Sequence, residues 1–100
     1  MVVQGRIEKL LKDAFQPSFL QVENESYMHR VPEGAETHFK VVLVSEQFAN
    51  VSPVKRHQQV YRVMAHELQN SVHALALHTF TQSEWEMQAG KVMASPACKG

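Results

Sequence analysis

Two apolar runs with a well-signalled helix between them constrain this chain most. "HFKVVLVS", residues 38 to 45, is valine-rich and reads as a strand. "VHALALHTF", residues 72 to 80, reads as another. Between them Ser52 precedes Pro53, a capping serine followed by proline at the first helical position. Helical spacing then runs from about Pro53 to Leu68, until "NS" breaks it. Two strands joined through a helix can lie parallel in one sheet.

An earlier segment, "SFLQVEN", adds a strand, with Phe19 and Gln21 on one face and Leu20 and Val22 on the other. It can pair antiparallel with the strand at 38 across the loop at 25–37, which carries Pro32 and Gly34 and has no periodicity. Loops of that length often carry function. An amphipathic helix leads the chain, with Ile7, Leu10, Leu11, Ala14 and Phe15 on its apolar side. "QPS" stops it, because the residue before Pro17 is pushed out of helical angles. Thr81 begins a last short helix, with Glu84 three residues on in a capping-box pattern. Trp85 is expected to anchor that helix on the core. The expected product is an α/β (α+β) domain over 1–90, a three-stranded mixed sheet with helices mainly on one face. A flexible tail is expected over 91–100.

Charge narrows the function. Lys and Arg total 10, as do Asp and Glu, so the formal net charge is zero. Tight phosphate binders are usually basic, so a nucleic-acid role needs a local patch here. No apolar run approaches the roughly 18 residues of a membrane span. The charged N-terminus argues against a secretory signal. The single cysteine, Cys98, forms no internal disulfide, which points to a reducing cytoplasm. It lies two residues from the end, a poor place for a rigidly held nucleophile. No glycine-rich phosphate loop or strained serine elbow is present, so an enzyme is not expected.

Six histidines in 100 residues is a high count. His73 and His78 are five apart, so on a strand they face opposite ways and cannot share one metal. His73 goes with Leu75 and Leu77, and His78 with Ala74, Ala76 and Phe80. A strand-entry histidine also has an ordinary structural reading, as a hydrogen-bonded residue. His57 falls on the apolar stripe of the long helix with Val60, Tyr61, Met64 and Leu68. Lys55, Gln59, Arg62, His66 and Gln69 fall opposite, a face with cations and no carboxylate. Such a face serves equally as plain solvent surface.

"HFKVVLVSEQF", "KRHQQVY", "VHALALHTFTQSEW" and "SPAC", in that order and spacing, resemble the BolA family. "AFQPSFLQVENES" and "VPEGAETHFKVVLVS" resemble its bacterial branch in particular. The likeness covers nearly the whole chain. It implies a fold similar to a class II KH domain, in the order α-β-β-α-α-β-α.

It also implies a partner, a monothiol glutaredoxin that shares a two-iron, two-sulfur (2Fe-2S) cluster with glutathione as a further thiolate; alone, the chain carries no cofactor. The implied ligands from this chain are His73 and His29, with His38 as the alternative to His29. Imidazole is an accepted ligand on one iron of such a cluster. The resemblance implies, as the alternative, a stress-linked transcriptional regulator. It would bind promoter DNA through the turn and helix at 45–69, with Lys55, Arg56, Arg62 and His66 as phosphate contacts. A homodimer is a further partner state it leaves open. Two departures from the family stand in that region: Asn50 replaces a turn glycine, and Gln58 replaces a basic residue. No clear GxxG loop, the backbone clamp of KH domains, is present.

Overall fold

The structure, a computed structural model, describes residues 2–28, 31–32 and 34–90. His29 and the tail expected over 91–100 lie outside the described residues. Three strands form one sheet in the order β1-β2-β3. β1 (Phe19–Asn24) runs antiparallel to β2 (His38–Val44), and β3 (Ala74–Phe80) runs parallel to β2. The helices are α1 (Val2–Phe15), α2 (Pro53–Val63), α3 (Ala65–Asn70) and α4 (Gln82–Met87). This is the α-β-β-α-α-β-α order that the resemblance implies and the mixed sheet that the residue pattern predicts.

α1 lays Ile7, Leu11 and Phe15, four residues apart each time, onto the sheet. It stops where Gln16 takes a left-handed φ of 46° and its N–H closes on the Lys12 carbonyl at 3.1 Å. Those three side chains meet Val22, Phe39, Val41 and Leu43 from the sheet, Phe48 from the following turn, and Val60 and Met64 from the second helical region. Ser45 ties α1 to the end of β2: its hydroxyl donates to the Phe15 carbonyl at 2.6 Å and accepts from the Gln47 N–H at 3.1 Å.

The second sheet face holds a smaller apolar group. Trp85 stacks on Phe19 at 5.1 Å and packs against Phe80 at 5.2 Å between ring centroids. The register puts Phe19, Val44 and Phe80 side by side on the face away from the main core. Trp85 therefore anchors α4 on that second face, not on the main core as expected.

The helical region after Pro53 differs from the sequence reading in three ways. It is not one helix to Leu68, since α2 ends at Val63 and Met64 turns at φ −90° and ψ 3° before α3 begins. α3 then presents Glu67, 3% exposed, to the Arg6 guanidinium of α1. Its buried stripe also carries charge, since Arg56 and Glu67 are buried with Val60 and Met64, while Tyr61 is exposed.

The third difference corrects Arg56 as a phosphate contact. Arg56 is 6% exposed. Its Nε donates to the Val51 carbonyl at 2.8 Å, and its Nη1 and Nη2 grip the two Glu84 oxygens at 2.6 and 3.0 Å. Nη1 also reaches the Thr79 carbonyl at 3.3 Å. Its guanidinium is thus committed to tying α2, β3 and α4 together, and has no aspect toward DNA.

Candidate functional site

Two sites emerge from these elements. The first lies where β2 and β3 begin. Asn24, at the end of β1, accepts the Ser26 N–H on its side-chain oxygen at 3.1 Å, an Asx turn that starts the long loop. This swings the buried Ser26 hydroxyl back to the loop's far end. There it accepts the N–H groups of Thr37 at 3.0 Å and His38 at 3.1 Å. Thr37 in turn receives the third strand, because its carbonyl accepts from His73 N–H at 2.7 Å and Ala74 N–H at 3.1 Å. The Thr37 hydroxyl meets His38 Nδ1 at 2.9 Å, which sets the ring's orientation.

The result is a histidine pair. The His38 and His73 rings lie 5.4 Å apart between centroids, tilted by 32°. Sequence spacing gives no hint of this, because 35 residues separate the two and the parallel register closes the gap. His73 itself precedes β3, which starts at Ala74, so strand alternation does not set its direction. It is exposed, whereas Leu75 and Leu77, which the strand reading put on its face, are partly buried against the core. Among the described residues, no group of three or more His, Cys, Asp or Glu side chains is gathered to hold a metal. A pair alone leaves at least two positions of an iron's tetrahedral set for other molecules.

His78 stands apart. It lies within β3 opposite Val42, and burial, reinforced by Lys40, lowers its pKa below the usual imidazole range. His78 is half-buried, on the sheet face away from the main core, and does not join the His38–His73 pair.

The second site is the outer surface of α2 and α3. The Ser52 hydroxyl accepts the Lys55 N–H at 3.4 Å and Pro53 opens the helix, as expected. Asn50 takes φ 62° in the turn before it, so asparagine holds the left-handed angle that glycine would otherwise supply. Lys55 and Arg62, two helical turns apart, are exposed on one side of α2, and His66 is exposed on α3 beyond the break at Met64. Neither Lys55 nor Arg62 has an ion-pair partner among the described residues. The one carboxylate of α3, Glu67, is turned inward, and the Arg6 hydrogen bond holds its pKa below the usual range. Lys55 and Arg62 therefore make the outer side of α2 cationic although the chain as a whole is neutral, while His66 of α3 borders the exposed Asp13 of α1.

The family model described as BolA-like protein matches residues 11–84. The chain belongs to the BolA family. The DNA-binding transcriptional regulator BolA of Escherichia coli strain K12 is 53% identical over 100 residues, spanning 100% of this chain and 95% of that one. The DNA-binding transcriptional regulator BolA of Vibrio cholerae is 52% identical over 99 residues, spanning 99% of this chain and 93% of that one. The solution structure of the BolA1 protein from Mus musculus superimposes with a TM-score of 0.83 at 40% identity, covering 98% of this chain and 79% of that one. The BolA family is a family of regulators and not of enzymes. No helix among the described residues is long and apolar enough to cross a membrane.

Proposed function

We propose that this BolA-family chain is a DNA-binding transcriptional regulator that meets DNA with the outer surface of α2 and α3. The observation that carries this reading is the exposed set Lys55, Arg62 and His66, with no carboxylate among them. Relatives at 53% and 52% identity bear the name of DNA-binding regulators, which supports it. Phosphate contacts made by two lysine or arginine side chains attract DNA and position the protein; they carry no sequence information themselves. The test is binding of promoter duplexes over a range of salt. Affinity must fall as salt rises, because each neutralised phosphate releases counterions. Replacing Lys55 and Arg62 together by alanine must weaken binding; if affinity is unchanged, this surface is not the reader.

A second reading rests on the histidine pair. His38 and His73, 5.4 Å apart and held through Thr37, suit co-ligation of a 2Fe-2S cluster with a monothiol glutaredoxin and glutathione. The donor chemistry fits, since a cluster accepts two imidazoles on one iron, and the remaining ligands would be the partner's thiolates. When bound, the cluster would supply redox or iron-sensing chemistry. This chain would contribute His73 from the entry of β3, with His38 or His29 as the second ligand, and Thr37 to orient His38. Neutral imidazoles are required, so acid must weaken the assembly. Co-purification with a monothiol glutaredoxin, followed by visible absorption, tests it. Alanine at His73 must abolish the cluster spectrum, and alanine at His38 or at His29 identifies the second ligand. An unchanged spectrum in the His73 variant removes the reading.

A further inference from the structure

An exposed strip with one aromatic ring runs beside the cations of α2. Val54 is 67% exposed and Tyr61 43% exposed. They are seven residues apart, two helical turns, with Gln58 between them on the same flank. Lys55 and Arg62 share that spacing, one residue on, and so form a neighbouring row. Among the described residues no hydrogen bond, ion pair or ring stack holds Tyr61. Tyr61 thus keeps nearly half of its surface in water and is not among the side chains packed on the main core.

We propose that Tyr61 is a stacking platform for an unpaired base, and that this surface prefers single-stranded over duplex nucleic acid. The inference rests on the nucleic-acid reading given above. Its physical basis is the small number of charges. The chain has zero formal net charge, and Lys55 and Arg62 are two fixed cations, a weak electrostatic hold on their own. An aromatic ring beside them adds affinity only where a base face is open to it. In a duplex the base faces are stacked on one another; in a single strand each is free to lie on a side chain. A tyrosine beside an arginine is the combination that such surfaces use, the ring taking the base and the guanidinium the phosphate. A protein partner fits less well, because the apolar strip is narrow and its cationic border has no paired carboxylates.

The experiment compares one mixed-sequence DNA strand with the duplex formed by its complement. Wild type, Tyr61→Ala and Tyr61→Phe are titrated against both by fluorescence anisotropy, over a range of salt. Far-ultraviolet circular dichroism checks that each variant is folded. Wild type is expected to bind the strand more tightly than the duplex. Tyr61→Ala is expected to lower strand affinity by about five- to a hundredfold, the size of one base–aromatic stack. Tyr61→Phe, which keeps the ring, is expected to stay within about twofold of wild type, and duplex affinity is expected to change little in either variant. Salt-dependent duplex binding with a silent Tyr61→Ala overturns this inference and leaves the DNA-binding reading standing. Equal losses on strand and duplex overturn it as well. No salt-dependent binding to either form overturns both.

Discussion

Arg56 and Glu84 show how a single residue's role is decided by a partner far along the chain. Helical spacing leaves Arg56 next to Lys55 and His57, where it reads as one more surface cation. The structure buries it because Glu84, 28 residues away, and two carbonyls satisfy its guanidinium. Local sequence carries no sign of that pairing. Removing the guanidinium leaves two carbonyls without their donor and the stem's space unfilled, while water takes over part of the nearly half-exposed Glu84 carboxylate, so Arg56→Ala is expected to cost about 2–3 kcal/mol in urea denaturation. Glu84→Gln leaves the buried Arg56 guanidinium without its counter-charge but with an amide oxygen still to donate to, and is expected to cost about 1–3 kcal/mol.

The Arg56 hydrogen bonds, then the Thr81 N–H, hold the Glu84 carboxyl down at about 2. Its stabilising effect is therefore present above the ordinary 4.5 and disappears as pH falls toward about 2. His78 acts earlier. Burial lowers its pKa from 6.5, so below that pH the unfolded chain binds a proton that the folded chain resists. Stability is expected to start falling below about pH 6.5 for this reason, and His78→Gln is expected to remove that first decline. An NMR titration of the His78 ring should give a midpoint below 6.5; a midpoint at or above it contradicts the burial argument.

At the scale of elements, most of the fold is legible in local pattern. The valine run of β2, the Ser52–Pro53 start of α2, the Thr81 capping box and the Pro17 stop all fall where their physics places them. Thr81 accepts the Glu84 N–H while Glu84 accepts the Thr81 N–H, the reciprocal bonds that the two residue types anticipate. The break at Met64 is not legible, because Met64 stays fully buried and fits the apolar period on either side of it. It is tied instead to where Glu67 meets Arg6, across 61 residues of chain. Ser45 is equally silent in the sequence, although it joins α1 to β2. Ser45→Ala deprives the buried Phe15 carbonyl and the Gln47 N–H of a partner, and is expected to cost about 1–3 kcal/mol in thermal or urea unfolding. A change below a few tenths of that range would mean the two elements hold their positions without it.

Across the whole molecule, the sheet does what no local pattern reveals. Parallel pairing of β2 with β3 brings His38 beside His73, and the hydrogen bonds of Thr37 fix them there. The same pairing leaves His78 inside the sheet, which separates the two histidines of "VHALALH" into different roles. The cationic surface also belongs to this scale. Ten acidic and ten basic residues cancel in the sequence, yet the fold turns Glu67 inward and pairs Glu84 with Arg56. Lys55 and Arg62 are left facing solvent side by side on α2, with His66 exposed on the next helix.

The salt dependence of DNA binding tests that arrangement most directly. Three proteins suffice: wild type, the double variant Lys55→Ala with Arg62→Ala, and a charge-matched control, Lys12→Ala with Lys40→Ala, one on α1 and one on the sheet face turned away from the main core. Plotting log affinity against log salt, the Lys55 and Arg62 variant is expected to lose about 2 from the magnitude of the wild-type slope, one phosphate contact for each cation. The control should keep the wild-type slope. Equal slopes for wild type and the Lys55–Arg62 variant, or an equal loss in the control, would show that the outer surface of α2 and α3 does not hold the DNA.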